Sequence, residues 1–160
     1  RRLGMSTLRV DKLQGQGDTS TYKFVVQTLQ FTVAETSSIS AGSATTLINS
    51  TFTPRTSGNK FAVWLHLPNC TATAGGSVVA YVYVGTSATP TSNTQVIFAQ
   101  ERMEGTGADD VTSIHGHDFG TFTCASTDTH YVSLTVTPDH TLTVARHSNT
   151  GKLLLQEIAR

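Results

Sequence analysis

The chain has 160 residues, with eleven Lys and Arg balanced by eleven Asp and Glu and only 14% of positions charged. That length suits one domain with a real hydrophobic core. Zero net charge at so low a charge density excludes the basic footprint needed to bind nucleic acid or an anionic membrane. Threonine, serine and glycine stand in place of charge, giving a neutral, hydroxyl-rich surface that suits exposed β-structure.

Arg1 to Gly17 separates itself by pattern. Leu3, Met5, Leu8, Val10 and Leu13 are spaced too irregularly for one helix face, although TLRVDKL makes a short strand pattern around Leu8 and Val10. The run Gln14 to Asp18 then breaks any regular element. Residues 1–20 are therefore expected to form an extended arm that leaves the domain, its apolar side chains buried on another subunit or an underlying scaffold. A β-sandwich is expected over 21–160.

From Thr21 onward, short strand patterns alternate with turn residues. FVVQTLQFTV (Phe24 to Val33) and TTLINSTFT (Thr45 to Thr53) come first, and Pro54 to Asn59 closes the second. KFAVWLHLP follows, from Lys60 to Pro68. Phe61, Val63, Leu65 and Leu67 alternate with Ala62, Trp64 and His66, so both faces of this strand are largely apolar. It reads as the central strand of a sandwich buried on both sides or, alternatively, as one facing the core on one side and a partner subunit on the other, where Trp64 would make the contact. Val78 to Val84, Thr94 to Glu101, Val111 to Ile114, His117 to Cys124, Tyr131 to Thr137, Thr141 to Arg146 and Leu153 to Ile158 complete the set. About eight to ten strands at this spacing read as an all-β fold.

An antiparallel jelly roll is preferred to an immunoglobulin-like sandwich, because Trp64 precedes both cysteines and the Cys, Trp, Cys order is missing. The two cysteines, Cys70 and Cys124, are too few for a disulfide framework; each follows a strand, so one bridge between them stays geometrically possible. No apolar run reaches the length of a membrane span, and RRLGMSTLRVDK has no hydrophobic signal core.

Among catalytic residue types, only histidine recurs. His115 and His117 in HGHD would point to one side of a strand, and the pair repeated round a trimer axis would offer six nitrogens to a transition metal; the plainer alternative is a solvated loop. Gly75, Gly76 and Ser77 lack the GxSxG turn of a serine hydrolase. Asp109 and Asp110 are adjacent and diverge, which fits loop solvation better than a glycosidase pair, and GTGADD lacks the alternating acids of a calcium loop. A non-enzymatic protein without a cofactor is expected.

The opening MSTLRVDKLQ (Met5 to Gln14) resembles the start of structural proteins of tailed bacteriophages, particularly those of marine and cyanobacterial hosts, in which an STLxVDxLQ-type segment precedes a β-rich domain. TLINSTFTP, KFAVWLHLP and the closing LLLQEIA resemble the same proteins, so that the likeness covers the ends and one internal block. Arg1 to Gly4 precede the methionine that would open such a chain, pointing to an upstream start or a fragment. The resemblance implies a homotrimer in the virion, assembled in the host cytoplasm. Apolar arm residues, Trp64 and a C-terminal run including Leu153 and Leu155 would supply the contacts, since together they exceed what one core needs. Two roles follow. A decoration or cement protein would grip the major capsid protein or a neighbouring virion protein through its arm. A tail-fibre tip would hold a host surface glycan in the loops Asn69 to Gly76, Gly85 to Asn93 and Glu104 to Asp110. Decoration is favoured, because those loops hold no Trp, Tyr or Phe to stack on sugars and no shaft repeat is visible.

Overall fold

The computed structural model describes residues 13–14, 21–22, 25–103, 112–146 and 149–159. Leu3, Met5, Leu8 and Val10 lie outside these residues. Leu13 falls in β1 (Leu13–Gln14), which pairs antiparallel with β2 (Thr21–Tyr22) in a two-stranded sheet of its own. The remaining strands are β3 (Val25–Val33), β4 (Thr36–Ile39), β5 (Thr45–Phe52), β6 (Lys60–Ala72), β7 (Gly76–Gly85), β8 (Thr94–Met103), β9 (Thr112–Thr123), β10 (His130–Pro138), β11 (Leu142–Val144) and β12 (Gly151–Ile158).

Two sheets carry the fold. In one, the order is β3-β12-β6-β9, with the short β11 and β4 continuing along the far end of β6; in the other it is β5-β10-β7-β8. Every pairing among the described residues is antiparallel. Numbered from β3 as the first of the eight long strands, the orders are 1-8-3-6 and 2-7-4-5, the double Greek-key winding of a jelly roll. The core lies between the sheets. Phe61, Val63, Leu65 and Leu67 of β6 point inward with Leu153 and Leu155 of β12, opposite Val78, Ala80, Val82 and Val84 of β7 and Val132, Leu134 and Val136 of β10. Each of these side chains larger than alanine contributes about 1.5–3 kcal/mol by leaving water.

Three expectations need correction, and the open possibility of a cysteine bridge is closed. Leu153 and Leu155 are fully buried, so they belong to the chain's own core and offer nothing to a partner; only Leu154 of that run faces outward. HGHD is neither a loop nor a break, because Thr112 to Thr123 is one continuous strand. The central strand runs past Pro68 to Ala72: a register shift between Leu67 and Cys70, with Asn69 at φ 49°, absorbs the proline, and the Pro68 and Asn69 carbonyls accept from the Ala145 and Arg146 amides. Cys70 and Cys124 are both free and buried, at opposite ends of β6: Cys70 lies in it, while Cys124 follows Thr123, the partner of Lys60. Ten residues of strand, roughly 33 Å, separate those ends and rule out the bridge.

Candidate functional site

The period-2 alternation that fills the core also builds a second surface, the outer face of the β3-β12-β6-β9 sheet. Register sets its residues in rows. One row reads Thr32, Lys152, His66, His115; the next Gln30, Leu154, Trp64, His117; the third Thr28, Gln156, Ala62, Phe119. Lys60 and Ile158 stand beside each other beyond the third. None of these positions is a carboxylate. Of the nearest acids, Glu157 is buried on the other face of β12, and Asp118 accepts from the Thr121 amide and hydroxyl within its own strand.

The aromatic and imidazole rings touch. Trp64 and Phe119 meet edge to face at 5.3 Å, His117 lies 5.4 Å from Phe119, and His66 stacks on His115 at 4.6 Å with the planes 11° apart. Phe119 is 64% exposed, the most open of the large apolar side chains among the described residues. Partial burial, then the charges of His115 and Lys152, hold the His66 pKa below its usual value. A hollow of about 370 Å³ opens among Trp64, His66, His115, His117, Lys152 and Leu154. Beside it a second hollow lies between Lys60, Phe119 and Gly120.

The sequence signalled His115, His117 and Trp64, and the structure gathers them. It did not signal His66 as their neighbour, because only strand register places it opposite His115. Gly116, read as a spacer in HGH, has a further role: a Cβ there would sit 2.5 Å from the Ile97 side chain, so glycine lets β9 lie close against β8. Among the described residues no group of three or more His, Cys, Asp or Glu is placed to hold a metal ion.

No family model matches the chain, and no curated protein matches it. Solved structures give weak likenesses. One is a mutant VP2 protein of infectious bursal disease virus in derived T=1 particles, at TM-score 0.40 and 14% identity over 92% of this chain and 41% of that one. Another is the VP2 subviral particle of the same virus, at TM-score 0.37 and 12% identity over 94% and 42%. The chain thus spans about two fifths of the length of these proteins. Neither fold nor function is read from likenesses this weak.

The opposite sheet also presents aromatics outward. Tyr81 stacks on Tyr83 at 6.0 Å and meets Phe98 at 5.5 Å, and Phe98 is 56% exposed. The loop Gly85 to Asn93 is tied by its own bonds: Asn93 Oδ1 accepts from the Ser87 amide, Asn93 Nδ2 donates to the Ser87 carbonyl, and Asn49 donates to that of Ala88. Glu104 to Asp110 lies outside the described residues. Ser77, next to Gly76, donates its hydroxyl to Asp139 Oδ2 at 2.8 Å, and its amide bonds the same oxygen. These bonds hold the Asp139 carboxyl below its usual pKa. The pair fastens the start of β7 to the end of β10, with the His140 ring against Gly76.

Proposed function

We propose that the chain is a non-enzymatic virion structural protein, a homotrimeric decoration protein that cements a bacteriophage head shell. The observation that carries this proposal is the combination of a jelly roll complete in its own core with large aromatics left outside it on both sheets, Phe98 and Phe119 foremost. A small sandwich whose core is already filled has no internal use for further exposed rings, and such patches are covered by other molecules. Three copies round an axis would bury the Tyr81, Tyr83 and Phe98 face. The arm, with Leu3, Met5, Leu8, Val10 and Leu13, would reach the major capsid protein or a neighbouring virion protein. The phage-like opening MSTLRVDKLQ supports the same assignment.

Cementing works by linkage. A protein that binds only the assembled shell stabilises it by RT ln(1 + [L]/Kd), about 2.7 kcal/mol per site at a hundredfold excess over Kd. At zero net charge the grip is apolar contact and strand pairing, and exposed ion pairs add little.

The test is position on the particle. Ser92 is exposed, and both native thiols are buried, so Ser92→Cys offers the reactive sulfur. Label distributed over the head supports decoration; label confined to the tail would replace it with receptor binding.

A further inference from the structure

We propose that the outer face of β6, β9 and β12 is a binding site for an acidic polysaccharide, with sugar rings laid on Trp64 and Phe119 and their carboxylate or sulfate groups held by Lys152 and the three imidazoles. The site does not depend on whether the protein sits on head or tail.

Three observations point to that ligand. The first is charge: Lys60, Lys152, His66, His115 and His117 share a surface whose facing positions on β3, β6, β9 and β12 include no carboxylate, in a chain with as many acids as bases. An anion is the complementary partner. The second is shape and chemistry. The hollow of about 370 Å³ falls in the size range of small-ligand sites, roughly 300–1,000 Å³, and combines apolar walls from Trp64 and Leu154 with a few polar groups from Gln30, Lys152 and the histidines. A pyranose has the same division, with an apolar C–H face that stacks on an indole or phenyl ring and a rim of hydroxyls that the amides of Gln30 and Gln156 can bond. The third is backbone geometry. This is the face of a sheet whose central strands β6 and β12 are paired on both sides, so an acidic peptide laid across it would find no backbone partners for its own amides. A saccharide brings no such requirement.

Protonation is coupled to this binding. Burial first, then the charges of His115 and Lys152, depress His66; those two groups are also the ones that would hold the anion, and a bound carboxylate would draw a proton onto His66. Affinity therefore rises as pH falls through the histidine range.

The experiment titrates the full chain with the hexamer of galacturonic acid, with neutral maltohexaose and with poly-L-glutamate, using calorimetry and following the Trp64 indole and the imidazole signals by NMR. The expected result is binding of the uronate hexamer that is about tenfold tighter near pH 5.5 than near pH 7.5, with Trp64→Ala and Lys152→Gln each weakening it about fivefold or more. Both side chains point out of the core, and circular dichroism confirms that each variant is folded. Equal binding of maltohexaose overturns the assignment of an anionic ligand. Polyglutamate binding as tightly as the uronate, with Trp64→Ala without effect, replaces the saccharide with an acidic protein partner. A pH-independent affinity, or no binding at millimolar uronate, overturns the site.

Discussion

His66 and His115 face each other across β6 and β9 with their imidazoles stacked, 4.6 Å between centroids and 11° between planes. Two cations so placed repel. Burial first, then His115, then Lys152 lower the His66 pKa. His115→Gln removes one of those charges, so His66 should titrate at higher pH in the variant, and Lys152→Gln should act the same way. An NMR pH titration of the His66 ring protons checks it; an unchanged midpoint in both variants would show that the stack carries no charge coupling. The stability consequence has a definite sign. With the folded pKa below the unfolded value near 6.5, the unfolded chain binds more protons in the interval between them. Stability therefore falls as pH drops from about 6.5 towards the folded pKa, and His115→Gln should flatten that fall.

Glu157 is the buried carboxylate that fastens the turn between the two sheets. Its oxygens accept from the Arg55 amide at 2.8 and 3.0 Å, the Thr56 amide at 3.0 Å and Asn59 Nδ2 at 2.8 Å. Those donors belong to the Pro54 to Asn59 segment that carries the chain from β5 in one sheet to β6 in the other. Glu157→Ala removes the acceptor shared by buried Asn59 Nδ2 and the part-buried Arg55 and Thr56 amides, and should cost about 3 kcal/mol. Glu157→Gln, which turns an NH2 towards those donors, should cost about 1–3 kcal/mol. Gln156→Ala, one residue away and pointing outward, should stay within about 0.5 kcal/mol. Urea denaturation distinguishes them, and equal midpoints for all three would refute the anchoring role.

Much of this was legible in the alternation of side chains. Phe61, Val63, Leu65 and Leu67 against Ala62, Trp64 and His66 gave the two faces of β6, and the turn spacing gave the all-β sandwich. Two things hid the rest. Pro68 and Gly116 look like strand breakers, yet one sits at a bulge and the other provides close approach to Ile97, and both depend on neighbours distant in sequence. The run LLLQEI reads as excess apolar surface, although the same alternation already places Leu153, Leu155 and Glu157 on one side. Burial of a glutamate is then decided by donors roughly a hundred residues away, which no local pattern encodes.

Both thiols should be inert in the folded protein. Burial pushes Cys70 up to about 11 and raises Cys124, with the nearby Glu157 adding to the second shift. Since the thiolate is the reactive form, a disulfide reagent near pH 8 should modify neither residue until denaturant is added, and then both. Fast native labelling of Cys124 would mean that the segment packed on it, Thr56 to Asn59, opens readily.

Deleting residues 1–17 separates attachment from folding. The deletion removes β1, whose described pairing is with β2 alone, and leaves every strand of both jelly-roll sheets, which begin at Val25. Because core burial rather than the β1-β2 pair supplies the stability, the truncated protein should melt within a few degrees of the full chain, a shift of less than about 1 kcal/mol. If, as proposed, the Tyr81, Tyr83 and Phe98 face holds three copies together, the truncated protein should sediment as a trimer. Binding to shells lacking the protein should nevertheless disappear, because the apolar side chains assigned to the grip, Leu3, Met5, Leu8, Val10 and Leu13, go with the deletion. Full-affinity attachment of a folded truncated protein would eliminate the arm and move the contact onto the sandwich. Loss of the trimer together with attachment would place the arm between subunits instead of against the shell.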